Sequence, residues 1–354
     1  MKTKLILDKI CRIDNEEINR REYIRLDKNE GFIKFSNKFL EKCKTIITSD
    51  FLNSYPQPYM LRNALAKYLG INENELYLGS GSDAVIKSVF EIIIDPGDEV
   101  ILPTPNYAMY YVYSELFQAK IKKINYSNLT LSVNVDEIIS QITSKTKIIF
   151  ISNPNSPVGD LITESNLLKI IKVAEKKGVI VFIDEAYYPF SNFTMIKYFR
   201  KFDNIIISRT FSKAFSLASV RLGYVIAQSK IIEYFKKVRP IYEINSFAEK
   251  MGILILKELS FEKIYSDFIK IKRYVISRLK KLNIDFIDTQ ANFIHLKIDV
   301  AKQKDLMNYM FENKIILKKT GNKNFLDDYI RISISNRNNM EMFLNKLGDF
   351  ANEK

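Results

Sequence analysis

From about residue 76 to 228, short apolar runs alternate with amphipathic stretches. Glu75-Leu76-Tyr77-Leu78 reads as a strand, Gly79-Ser80-Gly81-Ser82 as a tight turn, and 83–94 as a helix. Glu99-Val100-Ile101-Leu102 reads as a strand that Pro103 ends. Further apolar runs stand at 121–124, 147–152, 179–184, 204–208 and 223–227. Helical patterns separate several of them, most clearly over 164–176. Alternation of this kind predicts an α/β fold with a largely parallel sheet covered by helices on both faces.

Past about residue 245 the texture changes. A long helical stretch over 246–282 leads to the strand candidate Phe293-Ile294-His295-Leu296-Lys297-Ile298. A helix over 304–312, the strand Tyr329-Ile330-Arg331-Ile332-Ser333 and a final helix follow. This predicts a smaller α+β domain, completed by the N-terminal residues. At 354 residues the chain is too long for one ordinary core. The expected division is an N-terminal arm with part of the small domain (1–48), a large domain (49–244) and a C-terminal small domain (245–354).

Composition narrows the function classes. Two cysteines, Cys11 and Cys43, give no disulfide framework and fit a reducing cytosol. A single histidine and the absence of any CxxC pair argue against zinc, and no metal site is expected. No apolar run reaches the ~18 residues of a membrane span. The start, 1–14, has no secretory pattern, so a soluble cytoplasmic protein without a membrane partner is expected. The net charge of +13 invites a nucleic-acid reading. Its basic residues, however, are interleaved with Asp and Glu rather than gathered in a stripe, so no nucleic-acid partner is expected.

The chemistry concentrates in five segments. The first runs from Ser208-Arg209-Thr210-Phe211-Ser212-Lys213-Ala214 to Arg221-Leu222-Gly223. A lysine between a strand end and a small-residue loop becomes a nucleophile able to form a Schiff base when burial and nearby cations lower its pKa. Arg221 with the hydroxyls of Thr210 and Ser212 would cradle a phosphate. The second, 179–187, ends in Asp184-Glu185-Ala186-Tyr187 and delivers a carboxylate at a strand's C-terminal end, where open α/β sheets bind ligands. Third, Gly79-Ser80-Gly81-Ser82-Asp83 opens a helix whose free N–H groups suit an anion. Fourth, Pro103-Thr104-Pro105-Asn106-Tyr107 brings an aromatic ring that could stack on a flat group, with Tyr110 the alternative three residues on. Fifth, Ser152-Asn153-Pro154-Asn155-Ser156-Pro157-Val158-Gly159 is a turn-rich loop after a strand.

Taken together, these segments resemble fold-type I, pyridoxal-phosphate-dependent aminotransferases of class I/II, and most of all the histidinol-phosphate aminotransferase branch. The likeness covers about Leu26 to Ser335. It implies an aspartate aminotransferase-like fold, with a mostly parallel seven-stranded sheet in the large domain, and pyridoxal 5′-phosphate as cofactor. It also implies roles: Lys213 carries the cofactor, Asp184 pairs with the pyridinium nitrogen, and Tyr187 contacts the ring oxygen. Thr210, Ser212, Arg221 and the amides of Ser82 and Asp83 hold the phosphate, while Tyr107 stacks on the ring. Tyr55, in Ser54-Tyr55-Pro56-Gln57, matches a tyrosine that reaches the neighbouring subunit's cofactor, which implies a homodimer with shared active sites. Arg331 matches the arginine that clamps the substrate carboxylate.

Two segments depart from the family pattern. Ser156 replaces the asparagine that usually touches the ring oxygen, and Val158 replaces a threonine; Asn155 could substitute, or Tyr187 could hold the oxygen alone. Leu26-Asp27-Lys28-Asn29-Glu30-Gly31-Phe32 resembles the substrate-gating Asn-Glu-Asn-Pro segment, which makes Asn29 and Glu30 substrate-binding candidates. Gly31 and Phe32 stand there in place of Asn-Pro. His295, on a strand beside Phe293, reads as a packing residue. The implied reaction is transamination from an amino acid donor, plausibly glutamate, to a small keto or aldehyde acceptor that could be phosphorylated. A decarboxylase on the same scaffold would use the same Lys213 and Asp184. A binding protein that merely kept the fold would need no lysine nucleophile.

Overall fold

The computed structural model describes residues 5–10, 18–320 and 326–352. Cys11 and most of the 1–14 stretch lie outside the described residues. The principal sheet has seven strands, in the spatial order Leu76–Gly79, Gly223–Ala227, Ile205–Thr210, Ile180–Asp184, Thr146–Ser152, Glu99–Thr104 and Lys120–Asn125. The last five of these pair in parallel, and Gly223–Ala227 runs antiparallel to both its neighbours.

Both faces of this sheet are apolar, which is why its strands read as continuous hydrophobic runs. Ile149, Ile151, Val181, Ile183 and Ile207 point into one core, with Leu167, Ile170, Ile171 and Ala174 of helix Glu164–Lys176 packed over them. Ile148, Phe150, Phe182, Ile206 and Val225 point into the other, under Val85, Ile86, Val89 and Phe90 of helix Ser82–Ile93. The alternation along each strand divides the two cores.

A four-stranded antiparallel sheet, Lys318–Lys319, Tyr329–Ser333, Phe293–Lys297 and Phe286–Asp288, forms the second layer system. The N-terminal strand Ile24–Arg25 pairs in parallel with Ile315–Ile316, tying the start of the chain to its C-terminal part.

Two element expectations need correction. Pro103 does not end its strand, which runs over Glu99–Thr104. Pairing with Thr146–Ser152 is lost beyond Ile101, so Pro103 is paired on one side only, where a missing N–H is tolerated. The stretch 246–282 is two helices, Ser246–Glu258 and Phe261–Lys281. Ser260 caps the second by accepting the Lys263 N–H at 3.2 Å, a contact worth about 1 kcal/mol.

Candidate active site

The carboxyl ends of three neighbouring parallel strands build the floor of the site. Ser152, Asp184 and Ser208 stand side by side in register there. Asp184 is buried, and burial raises its pKa. Ser208 Oγ (2.8 Å), Tyr110 OH (2.9 Å) and the Ala186 N–H (3.2 Å) all donate to its carboxylate and oppose that rise. The nearby Asp83 adds to the rise, while the three donors favour the ionised form. A carboxylate so held is the acceptor that a protonated ring nitrogen needs opposite it.

Lys213 lies in the loop after strand Ile205–Thr210. Burial, the nearby Arg331 and, more weakly, Arg221 push its amine down to about 8. Its Nζ donates to the Lys28 carbonyl at 2.7 Å. The chain segment around Lys28 thus lies directly over the reactive amine. Gly31 makes that approach possible: a Cβ there would stand 2.0 Å from Ser216 Oγ and 2.5 Å from the Lys213 carbonyl. Phe32 anchors the same segment in an aromatic cluster, 6.3 Å from Phe190 and 6.0 Å from Phe268.

The phosphate cradle is built from backbone and one cation. Gly81 (φ +86°) precedes helix Ser82–Ile93, whose first N–H groups are open. The Arg221 guanidinium rests on that glycine, with Nη2 only 2.5 Å from where a Cβ would be. Gly223 packs against the same turn, 2.6 Å from the carbonyl carbon of Gly81 by the same measure. The Thr210 hydroxyl accepts the Ser212 N–H at 3.1 Å and shapes the loop that carries Lys213. Beside the cradle, Tyr107 OH donates to Asp83 at 2.6 Å and leaves its ring partly exposed as a platform.

On the opposite wall, Arg331 donates Nη2–H to the Asp27 carbonyl at 2.7 Å. Its Nε is buried with no hydrogen-bond partner among the described residues. A buried, unpaired guanidinium N–H is the feature that an incoming carboxylate or phosphate would satisfy.

The remaining candidates have these partners within the chain. Asn155 does not turn toward the pocket: its Oδ1 accepts the Val158 N–H at 3.0 Å, and its amide donates to the Pro105 carbonyl at 3.3 Å. It holds its own loop. Glu30 is bonded to Arg20 (2.9 Å) and Arg25 (2.6 Å), so its carboxylate is already neutralised. Asn29 spends its side chain on Tyr187 and Ser333 rather than on open space. Tyr55 is 72% exposed and stacks on Tyr242 at 4.2 Å, on the outer surface. His295 is fully buried and pushed down to about 4 by burial and Arg331. Its Nε2 donates to the Pro157 carbonyl at 2.9 Å, because a carbonyl can only accept, and Nδ1 is left to accept from Thr320.

Of the two hydroxyls holding Asp184, Ser208 was not among the expected site residues, and Tyr110 was expected only as an alternative stacking ring. Ser208 is visible once strand register is considered, one position across from Asp184. Tyr110 follows from helical spacing, three residues beyond Tyr107.

Comparisons with known proteins bear on the family and the fold. The family model described as aminotransferase class I and II matches residues 33–347. The histidinol-phosphate aminotransferase of Caldanaerobacter subterraneus subsp. tengcongensis is 30% identical over 97% of both chains. That of Methanocaldococcus jannaschii is 32% identical over 92% of this chain and 89% of its own. The crystal structure of histidinol-phosphate aminotransferase from Sinorhizobium meliloti in complex with pyridoxal-5′-phosphate shares the fold, with a TM-score of 0.87 at 17% identity over 99% of this chain and 98% of that one.

Proposed function

The chain belongs to the aminotransferases of class I and II, and we propose that it transfers an amino group from glutamate to a small phosphorylated keto or aldehyde acceptor. It is a transaminase with pyridoxal 5′-phosphate as cofactor and small-molecule amino donors and acceptors as substrates. When bound, that cofactor supplies an aldehyde that joins amines and a protonated ring that draws electrons from the substrate's Cα.

The protein's own groups do the rest. Lys213 Nζ, pushed down to about 8, would attach the cofactor. With its amine free, Lys213 would be the base that takes the proton from the substrate's Cα and the acid that gives it back. Asp184, fixed by Ser208 and Tyr110, keeps the ring nitrogen protonated. Arg221, Ser212, Thr210 and the amides of Ser82 and Asp83 would hold the cofactor's phosphate, and Tyr107 would cover the ring. Tyr187 would donate to the ring oxygen, and Ser156 stands where the family pattern implies a second donor.

Arg331 carries the choice of substrate. Its open Nε and fork geometry suit the α-carboxylate of glutamate in one half-reaction. An acceptor without an α-carboxylate would present a phosphate to the same guanidinium in the other. The relatives named above are called after histidinol phosphate, a phosphorylated amine without an α-carboxylate, which supports this reading over decarboxylation.

A homodimer completes the proposal. Leu52, Tyr55, Tyr59, Ile241, Tyr242 and Phe247 expose apolar surface in one region, joined by the Tyr55–Tyr242 stack and the Phe51–Phe247 contact at 4.9 Å. A cluster of this kind is typical of a covered interface. Tyr55 would then act in the neighbouring subunit. The division at 49–244 and 245–354 belongs to the same proposal, with Ile24–Arg25 joined to the smaller part. Among the described residues no helix is long and apolar enough to cross a membrane, and a cytoplasmic location is part of the proposal.

The test is a set of half-reactions. Glutamate should bleach the visible absorbance of the loaded protein and yield 2-oxoglutarate, and a phosphorylated keto acceptor should restore it. Release of carbon dioxide from phosphorylated amino acids, with no keto acid formed, would overturn the proposal.

A further inference from the structure

Resting on the assignment of Tyr187 to the ring oxygen, we propose that Asn29 is a positioning residue that sets the direction of the Tyr187 hydroxyl proton, with Ser333 as its support. The hydrogen bonds determine that direction almost completely. The Asn29 backbone N–H donates to Ser333 Oγ at 2.8 Å. A backbone N–H can only donate, so the proton of Ser333 is free for Asn29 Oδ1, 3.1 Å away. This fixes which end of the Asn29 amide faces Tyr187: Nδ2 donates to the Tyr187 hydroxyl oxygen at 2.9 Å. The tyrosine therefore receives a proton from Asn29 and must send its own elsewhere.

Among the described residues, the other walls show no competing acceptor for that proton. The Phe293 ring stands edge-on at 5.7 Å. The charged or titratable groups that share electrostatics with Tyr187 are Arg331, which only donates, and Tyr107, whose own proton is committed to Asp83. The hydroxyl is left to donate into the pocket.

The backbone favours asparagine at this place as well. Asn29 has φ +53°, a left-handed conformation that asparagine adopts more readily than most residues. Asn292 donates to the Asn29 carbonyl at 3.2 Å and pins the turn from the other side. Ser333 stands two residues beyond Arg331, on the same side of the strand Tyr329–Ser333. One short relay thus joins the substrate-clamping strand to a cofactor-facing hydroxyl. It matters more here than in relatives with an asparagine at the position of Ser156, since Tyr187 must stabilise the ring oxygen without that partner.

The experiment is a spectroscopic pH titration of the cofactor-loaded protein. A donor to the ring oxygen favours its charged form and lowers the midpoint of the visible transition. Tyr187→Phe should raise that midpoint. Asn29→Gly, which keeps the backbone conformation accessible, and Ser333→Ala should raise it too, by about a two- to tenfold change in proton affinity, the scale of one neutral hydrogen bond. Combined with Tyr187→Phe, neither should add anything. If Asn29→Gly fails to fold, Ser333→Ala carries the same comparison. Shifts equally large with and without Tyr187 would overturn the inference, as would no shift from either variant while Tyr187→Phe moves the midpoint. A null result for Tyr187→Phe itself would instead remove the Tyr187 assignment on which the inference stands.

Discussion

Replacing Arg221 with alanine isolates the phosphate cradle from the rest of the site. The guanidinium lies on Gly81, at the open N-terminus of Ser82–Ile93, and is held there by a 3.1 Å bond to the Ala218 carbonyl. A hydrogen bond between charged groups contributes about 1.5–3 kcal/mol. At roughly 1.4 kcal/mol per factor of ten, its loss should weaken cofactor affinity by about 10- to 150-fold. Because Arg221 is exposed to solvent, the lower end of that range is expected. The assay is an equilibrium titration of the cofactor-free protein, followed by visible absorbance, with pyridoxal phosphate and with pyridoxal in parallel. Arg221→Ala should weaken the first and leave the second unchanged, since pyridoxal brings no phosphate to the cradle. Gly81→Ala places a methyl 2.5 Å from Nη2 at φ +86° and should act on the same term, so the two substitutions should combine less than additively. Equal weakening of both vitamers by Arg221→Ala would refute the cradle.

Other consequences follow from the same geometry. The neutral fraction of Lys213 rises as pH rises through about 8, so the rate of cofactor capture should climb about tenfold per pH unit below that point and level off above it. Arg331→Gln removes a cation that lowers this pKa, so stopped-flow capture by the variant should level off at higher pH; a move downward would contradict the assignment. Ser208→Ala removes a bond that holds Asp184 ionised, and the acid limb of kcat/KM should move to higher pH while the alkaline limb stays. Arg209 and Glu185 form a buried pair at 2.8 Å, with Arg209 also over the Tyr188 ring at 3.9 Å. Arg209→Met leaves Glu185 uncompensated and should cost about 3–5 kcal/mol in denaturant unfolding.

Much of the fold was legible because its sheet is buried on both faces. Strands such as Ile180–Asp184 and Gly223–Ala227 read as apolar runs, and Glu164–Lys176 has a helical stripe that needs no tertiary information. What failed was local and contextual. Whether Pro103 ends a strand depends on how far its neighbour extends, and the break at Leu259-Ser260 rests on one capping serine in an otherwise continuous helical pattern.

The site divides in the same way. Lys213, Asp184 and Arg221 announce themselves by residue type and spacing, because each needs a particular charge at a strand end or loop. Asn155, Glu30 and Asn29 carry equally suggestive side chains, yet each is occupied by a partner distant or oblique in sequence: Pro105 for Asn155, Arg20 and Arg25 for Glu30, Ser333 for Asn29. No pattern along the chain records which polar groups already have partners. The role of Gly31 was hidden for a related reason, since the crowding that demands a glycine comes from Ser216, 185 positions away.

The central claim is that one amine, Lys213 Nζ, takes up the cofactor. Borohydride reduction of the loaded protein followed by peptide mass mapping tests it directly. A single modified peptide spanning Ser212-Lys213-Ala214 is expected, absent after Lys213→Ala along with visible absorbance and turnover. A label on another lysine, or turnover that survives Lys213→Ala, would contradict it.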